Sequence, residues 1–551
     1  MNIKPKPLFI ILFLFIIPSL LFTACMQKRE HQAEQIKRDT TINQGNSFSE
    51  LFLDSMRVEK FITDQKLEDN SALLMRNFYN SRNYQFAWFI PEGLTEQARA
   101  FWNLYNTYIN YSRDSSLVNK SLNKQMELFI AEGIKNIPGK EIIQTELQLT
   151  NRFFKYAHYA YAGRIDPRDL QWFIPRKKVD AIALLDSLIA SKGKNLEEWE
   201  PVNHQYKLIK KELLHYYEIE KNGGWRELSF SKNRKYKQGD SLLFIAKLKQ
   251  RLKVAGDYID EDSSLRFGPE LAAAVKQAQK RFGLKQNGIA DTALISQLNI
   301  SVKDRIEQLL INMERMRWMP LESTGNRLLV NIPEFKLYVY EKGEKAFDMD
   351  IVVGKEVNQT IIFNDTLKYI VFSPYWNVPS SIVRNEILPA MRRNPNYLAN
   401  KNMEQIGGST DLPAIRQKPG SGNPLGKVKF IFPNNYAIYF HDTPAQSYFK
   451  RDQRAFSHGC IRLAEPKKLA EYLLRHRPDW ASLKIDEAMN AAEEKWINLK
   501  EPVPVFISYF TAWVDQDGLL NFRKDIYGHD SKMSRRLFHP EEDTWLFKAV
   551  P

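Results

Sequence analysis

Cysteine is almost missing from this chain. Its 551 residues hold two, Cys25 and Cys460, in unrelated settings, which argues against a disulfide between them and excludes a disulfide-framework domain. Blocks of consecutive Lys and Arg are missing too, as are zinc-finger spacings and a recognition-helix pattern. The formal charge of +14 therefore reads as a solvated surface, and nucleic acid is not an expected partner. A basic surface also suits anionic lipid headgroups and carboxylate-rich peptide stems. No apolar run reaches the ~20 residues needed to span a bilayer. Apolar content itself is ample, at 43% hydrophobic and 12% aromatic, which excludes a disordered chain and supplies material for roughly three or four domains.

The first residues set the compartment. Lys4 and Lys6 precede an apolar run over 8–22 that ends Leu21-Phe22-Thr23-Ala24-Cys25, the pattern of an export signal. A small residue directly before Cys25 resembles the cleavage box of bacterial lipoproteins, although Phe22 stands where such boxes usually carry Leu. The resemblance implies that Cys25 becomes a lipidated N-terminus and that the chain is periplasmic, anchored to an envelope membrane. An ordinary secretory signal or an anchor helix is the alternative, and it too places the bulk of the chain outside the cytoplasm. Cys460 is then an unpaired thiol in an oxidising compartment, either reactive or buried and inert.

Past residues 1–24, a polar stretch over 25–47 without apolar periodicity reads as a tether. Helical spacing, as in Leu73, Leu74 and Phe78 or Leu184, Leu185 and Leu188, marks 48–237 as a helical domain. Residues 238–300 change grain. Leu271, Val275, Ala278 and Phe282 form one stripe, Gly283-Leu284 stops that helix, Asn287-Gly288 makes a turn and Asp291 offers an N-cap for a last short helix. This three-helix module resembles the small peptidoglycan-binding domain of wall enzymes, with Asn287-Gly288 in place of the usual Asp-Gly turn. After a connecting helix within 301–325, alternation predicts strands at 327–332, 336–340, 349–353, 367–372, 428–431, 437–440 and 505–510, and a hairpin at Asp517-Gly518. The domain over 326–535 is mainly β, with a 536–551 tail. Residues 380–424 do not fit a sheet, and their Asn, Gly and Pro content suggests a lid-like insertion or a structural excursion.

The chemistry concentrates in Ile438-Tyr439-Phe440-His441-Asp442 and Ser457-His458-Gly459-Cys460-Ile461-Arg462. Acyl transfer by a thiol needs a base, oxyanion donors and a group that holds substrate carboxylates. His441 closes a predicted strand, so a turn through His458 could return Cys460 beneath it. Gly459 permits a tight turn with the Gly459 and Cys460 N–H groups directed at a reacting carbonyl. A zinc site from Cys460, His458, His441 and Asp442 is the chemical alternative, and Asp442 and Arg462 could form a plain surface ion pair.

His441 followed by Ser457-His458-Gly459-Cys460-Ile461-Arg462 resembles the signature of the L,D-transpeptidase catalytic domain. Further pieces agree, among them Val353-Gly354-Lys355, Tyr375-Trp376-Asn377-Val378-Pro379 and Leu425-Gly426. The whole is similar to the large multidomain transpeptidases of Gram-negative envelopes, a multidomain α+β class with a helical scaffold, a binding module and a mainly β catalytic domain. The resemblance implies Cys460 as nucleophile, His441 as general base, and the backbone carbonyl of Asp442 as its orienting group. It places Tyr439 and Gly459 in the oxyanion region and Ser457, His458, Arg462, Trp376 and Asn377 toward substrate. It implies no metal and no organic cofactor, with peptidoglycan stem peptides as substrate and other wall-synthesis enzymes as partners. The expected reaction is 3→3 cross-linking of tetrapeptide stems. Carboxypeptidase or D-amino-acid exchange activity at the same site, and a non-catalytic wall-binding scaffold, are the alternatives.

Overall fold

The computed structural model describes residues 35–135, 137–175, 177–320 and 324–539. The expected signal, Cys25 and the end of the tail lie outside the described residues. The chain divides into one unit ending at Gln85 and another beginning at Phe86, a boundary that falls inside the stretch expected as one helical domain.

In the first unit, helices Ser55–Asp64 and Asp69–Asn80 bury Val58, Phe61, Met75 and Phe78. Part of the expected tether is bound to them. Ile36 N–H donates to Asn77 Oδ1 at 2.8 Å, Asp39 N–H to the Asn80 carbonyl at 2.9 Å, and Asn80 Nδ2 to the Ile36 carbonyl at 2.9 Å. A polar segment without apolar periodicity can still be fixed by hydrogen bonds to its backbone, which composition does not reveal.

The second unit opens with helices whose aromatic residues interlock. Glu96–Ser112 and Gly139–Ala157 bring Phe101, Tyr105, Phe153 and Tyr156 together at ring spacings of 5.1–6.5 Å. Thr95 caps Glu96–Ser112 and Asn203 caps a further helix, His204–Lys221, accepting from Ala98 and Tyr206 N–H. The three-helix module follows as Leu243–Val254, Pro269–Arg281 and Thr292–Leu298, with Asp291 as the expected cap. Gln279 brackets its turn, accepting from Gly288 N–H at 3.0 Å and donating to Asn287 Oδ1 at 2.9 Å. The Asn287-Gly288 departure is thus compatible with the turn, since Gly288 supplies the left-handed φ of +72°.

Helix Val302–Trp318 leads into a nine-stranded sheet. Its order is Ala455–Ser457, Glu344–Gly354, Ile461–Leu463, Phe440–His441, Val428–Ile431, Asn364–Phe372, Lys495–Ser508, Arg327–Asn331 and Lys336–Glu341. The last strand pairs back onto Glu344–Gly354, so the pairings close into a ring. Two strands were missed by the sequence pattern, Ala455–Ser457 and Ile461–Leu463, because three residues are too short to register alternation. The strand expected at 437–440 is Phe440–His441, since Ala437 adopts φ +54° and cannot continue an extended run.

The core inside this sheet is completed from outside it. Ile165, Trp172 and Ile174, all from the helical region, are buried with Leu328, Ile351, Phe430 and Phe440. Helix His529–Phe538 contributes Met533 and Leu537 to the same core, so it runs past the boundary expected at 535. The 380–424 stretch differs from expectation. It contains strands Met403–Gly408 and Pro413–Gln417, which form a small sheet with Trp376–Asn377, and a core of Val378, Val383, Ile387 and Ile415. The alternation was not legible there because Met403–Gly408 is mostly exposed and ends in Gly407-Gly408, while Pro413–Gln417 buries Pro413 and Gln417 beside Ile415.

Candidate active site

Two short strands lie side by side and bring the candidate base and thiol together. Phe440 pairs with Ile461 and His441 with Arg462 in parallel register, so Tyr439 and Cys460 each stand one residue before a paired position. Ile461 N–H donates to the Tyr439 carbonyl at 3.2 Å, which holds the starts of both strands at one level.

His441 is buried, and its Nδ1 lies 2.5 Å from the Asp442 carbonyl oxygen. That carbonyl can only accept, so Nδ1 carries the proton and Nε2 is left as an acceptor. Burial, and then the Arg462 charge, lower the imidazole to about 3. It is neutral at physiological pH, as a general base must be. The Asp442 carboxylate turns away from this contact and accepts Lys427 N–H at 2.8 Å and Thr443 N–H at 2.7 Å. Gly426, at φ +62°, makes room for it, because a Cβ there would lie 2.4 Å from Asp442 Cγ. Asp442 and Arg462 do not form the ion pair weighed from sequence. Arg462 instead lies over the Tyr448 ring at 5.8 Å.

The turn carrying Cys460 is stapled from within. Ser457 Oγ donates to the Cys460 carbonyl at 2.6 Å and accepts Gly459 N–H at 3.1 Å. Ser457 is therefore buried in the turn rather than facing substrate, and the Gly459 N–H expected at the oxyanion is already engaged. Gly459 adopts φ +117°, which other residues rarely reach. His458 is exposed at the tip. Thr360 fastens the turn to the sheet, accepting Gly354 N–H at 2.9 Å and donating to the Gly459 carbonyl at 2.8 Å. Tyr527 supports it, donating to the Gly354 carbonyl at 2.5 Å. Nothing in the sequence singled out Thr360 or Tyr527, which lie far from the motif along the chain.

Cys460 Sγ donates to the Ala437 carbonyl at 3.5 Å, and Tyr439 lies beside it. Burial raises the thiol above its ordinary value, and the Tyr439 contacts only partly oppose this. The same burial raises the Tyr439 phenol. Among the described residues no hydrogen bond joins Sγ to the His441 ring, and the thiol rests on the Ala437 carbonyl. Trp376 and Asn377 sit at the root of the insertion, paired with Gln417 and Arg416, and Trp376 packs against the insertion's own core. Among the described residues no three His, Cys, Asp or Glu side chains converge as metal ligands. The zinc arrangement does not assemble.

Comparison with known proteins agrees with this layout. Residues 325–505 match the model of the L,D-transpeptidase catalytic domain, 74–213 a scaffold domain and 244–298 the model described as "Putative peptidoglycan binding domain". A Haemophilus influenzae protein named "Putative L,D-transpeptidase" is 30% identical over 244 residues, which are 41% of this chain and 49% of that protein. The chain thus spans about half the length of that curated relative. Solved structures include an L,D-transpeptidase from Mycobacterium smegmatis (14% identity, 33% of this chain and 58% of that one, TM-score 0.19) and one from Stackebrandtia nassauensis (15%, 51% and 97%, TM-score 0.20). Likenesses this distant carry no argument of their own.

Proposed function

Because the chain carries an L,D-transpeptidase catalytic domain and a peptidoglycan-binding module, we propose that it forms 3→3 cross-links between tetrapeptide stems through an acyl-enzyme on Cys460. The observation that carries this reading is the register of His441 beside Arg462, which sets a neutral, oriented imidazole next to the strand that Cys460 precedes. For attack, Sγ has to leave the Ala437 carbonyl and give its proton to Nε2. The sulfur then attacks the carbonyl of the third stem residue as His441 takes its proton. The Cys460 N–H and the Tyr439 hydroxyl are the oxyanion donors left once Gly459 N–H is committed to Ser457. His441 returns the proton to the departing amine of the terminal D-Ala. An amine from a neighbouring stem then attacks the thioester, loses its proton to His441 and restores the thiol. Arg462 supplies positive charge for a stem carboxylate.

An extracytoplasmic place follows from the wall-directed domains, and lipidation of Cys25 with attachment to an envelope membrane is part of the same proposal. The test is intact-protein mass spectrometry of the chain with disaccharide-tetrapeptide, beside Cys460→Ala. A Cys460 adduct with a 3→3 dimer is expected. An adduct with tripeptide alone would make the enzyme a carboxypeptidase, and no adduct from folded protein would leave a wall-binding scaffold.

A further inference from the structure

The pairings around His441 continue in one row across the sheet. Val352 pairs with Arg462, Arg462 with His441, His441 with Lys429, Lys429 with Val371, and Val371 with Trp496. Directly paired positions share a face. Their chain neighbours Ile351, Ile461, Phe440, Phe430, Ile370 and Ile497 are the ones packed into the core, so the row lies on the opposite face, the one bearing the candidate base. Tyr369, two residues before Val371, shares that face.

The far end of the row is a fixed aromatic platform. Trp496 is 52% exposed, yet its ring is held. Nε1 donates to Glu494 Oε2 at 2.8 Å, the Tyr369 ring stands edge-on at 6.0 Å and 70°, and Lys429 Nζ lies 5.5 Å from the ring centroid. Glu494 is itself placed by Tyr375 N–H at 3.0 Å and Lys429 Nζ at 3.5 Å. A half-exposed indole in mid-sheet contributes little burial, while its loss of ring freedom has already been met, which suits a surface built to stack a ligand. The charges around it are paired with each other, so the platform suits a neutral ring better than a charged peptide.

Spacing indicates which ring. Trp496 stands three strands from His441, about 14 Å at ~4.8 Å per strand. An extended stem from its third residue to its first covers at most roughly 11 Å, and the lactyl link to the sugar adds about 3 Å. We propose that Trp496, with Tyr369 and Lys429, forms a saccharide subsite that stacks the sugar ring bearing the donor stem. This rests on the transpeptidase reading for its donor, though not for the binding itself.

Two measurements test it on the full chain, comparing wild type with Trp496→Ala and Trp496→Phe. The first is the ratio of kcat/KM for Cys460 acylation by disaccharide-tetrapeptide over free tetrapeptide. Wild type should favour the disaccharide donor by about tenfold, Trp496→Ala should bring the ratio to near one through KM, and Trp496→Phe should restore part of it. A merely structural tryptophan would lower both donors together, leaving the ratio intact, and that result overturns the subsite. The second is saturation-transfer NMR with the peptide-free wall disaccharide. Signal on wild type that disappears in Trp496→Ala supports the subsite even if no donor acylates Cys460, in which case the transpeptidase reading alone fails. No disaccharide signal together with no donor preference overturns the proposal.

Discussion

Desolvation raises the part-exposed Cys460 thiol above its ordinary value, so it stays protonated at neutral pH, and in the proposed mechanism His441 has to take its proton. Cys460→Ala should abolish the covalent adduct while shifting unfolding by no more than about 0.5 kcal/mol. Retained acylation would remove the thiol from the mechanism. The pH dependence follows from signs. His441 and His529 are both lowered to about 3, chiefly by burial. Between pH 6.5 and 3 the unfolded chain therefore binds protons that the folded chain refuses. Stability should be fully present above pH 6.5 and fall below it by up to about 1.4 kcal/mol per pH unit for each histidine. Urea unfolding of wild type and His441→Gln at pH 7 and pH 5 measures this, and the variant should lose less on acidification. Equal losses would mean that His441 does not titrate as its burial requires.

At the scale of elements, the Cys460 turn is held by two hydroxyls rather than by regular pairing. Thr360→Val removes the link between Gly354 N–H and the Gly459 carbonyl while keeping the side-chain shape. It should cost about 1–3 kcal/mol, measured by denaturant unfolding, and slow acylation of Cys460 as well. Unchanged acylation would mean that Ser457 alone fixes the turn. Gly426→Ala acts on the other side of the site. Its φ of +62° and the 2.4 Å approach to Asp442 Cγ leave no place for a methyl group, so a loss of at least about 1 kcal/mol is expected with weaker orientation of His441. The insertion is a small folded sheet with its own core of Val378, Val383, Ile387 and Ile415.

Across the whole of the second unit, the helices and the catalytic sheet share one interior. Trp172 meets Trp318 at 5.4 Å and His529 at 5.3 Å, and lies under the Arg315 guanidinium at 5.0 Å. Phe173 N–H donates to the Ile362 carbonyl at 2.9 Å. Trp172→Ala should therefore destabilise the catalytic sheet by about 3–5 kcal/mol, although the residue lies more than 150 positions before its first strand. Denaturant unfolding followed at both the helical region and Cys460 accessibility would check this. Loss confined to the helical region would show that the catalytic sheet keeps its own core.

The sequence by itself determined the three-part layout, the module's caps and turns, and the segment that holds Cys460 and His441, because these rest on local periodicity and on residue types with few alternative uses. Strands such as 428–431 were legible since each alternates over enough residues. Tertiary structure decided the rest. Only folding brings Thr360, Tyr527 and Ala437 to the Cys460 turn, engages the Gly459 N–H with Ser457 instead of leaving it open, and sets Trp172 in a core built largely from residues 328–537. The row from Arg462 to Trp496 belongs to the same class, as strand register is fixed by which faces can be buried together and leaves no mark at any one position in the chain.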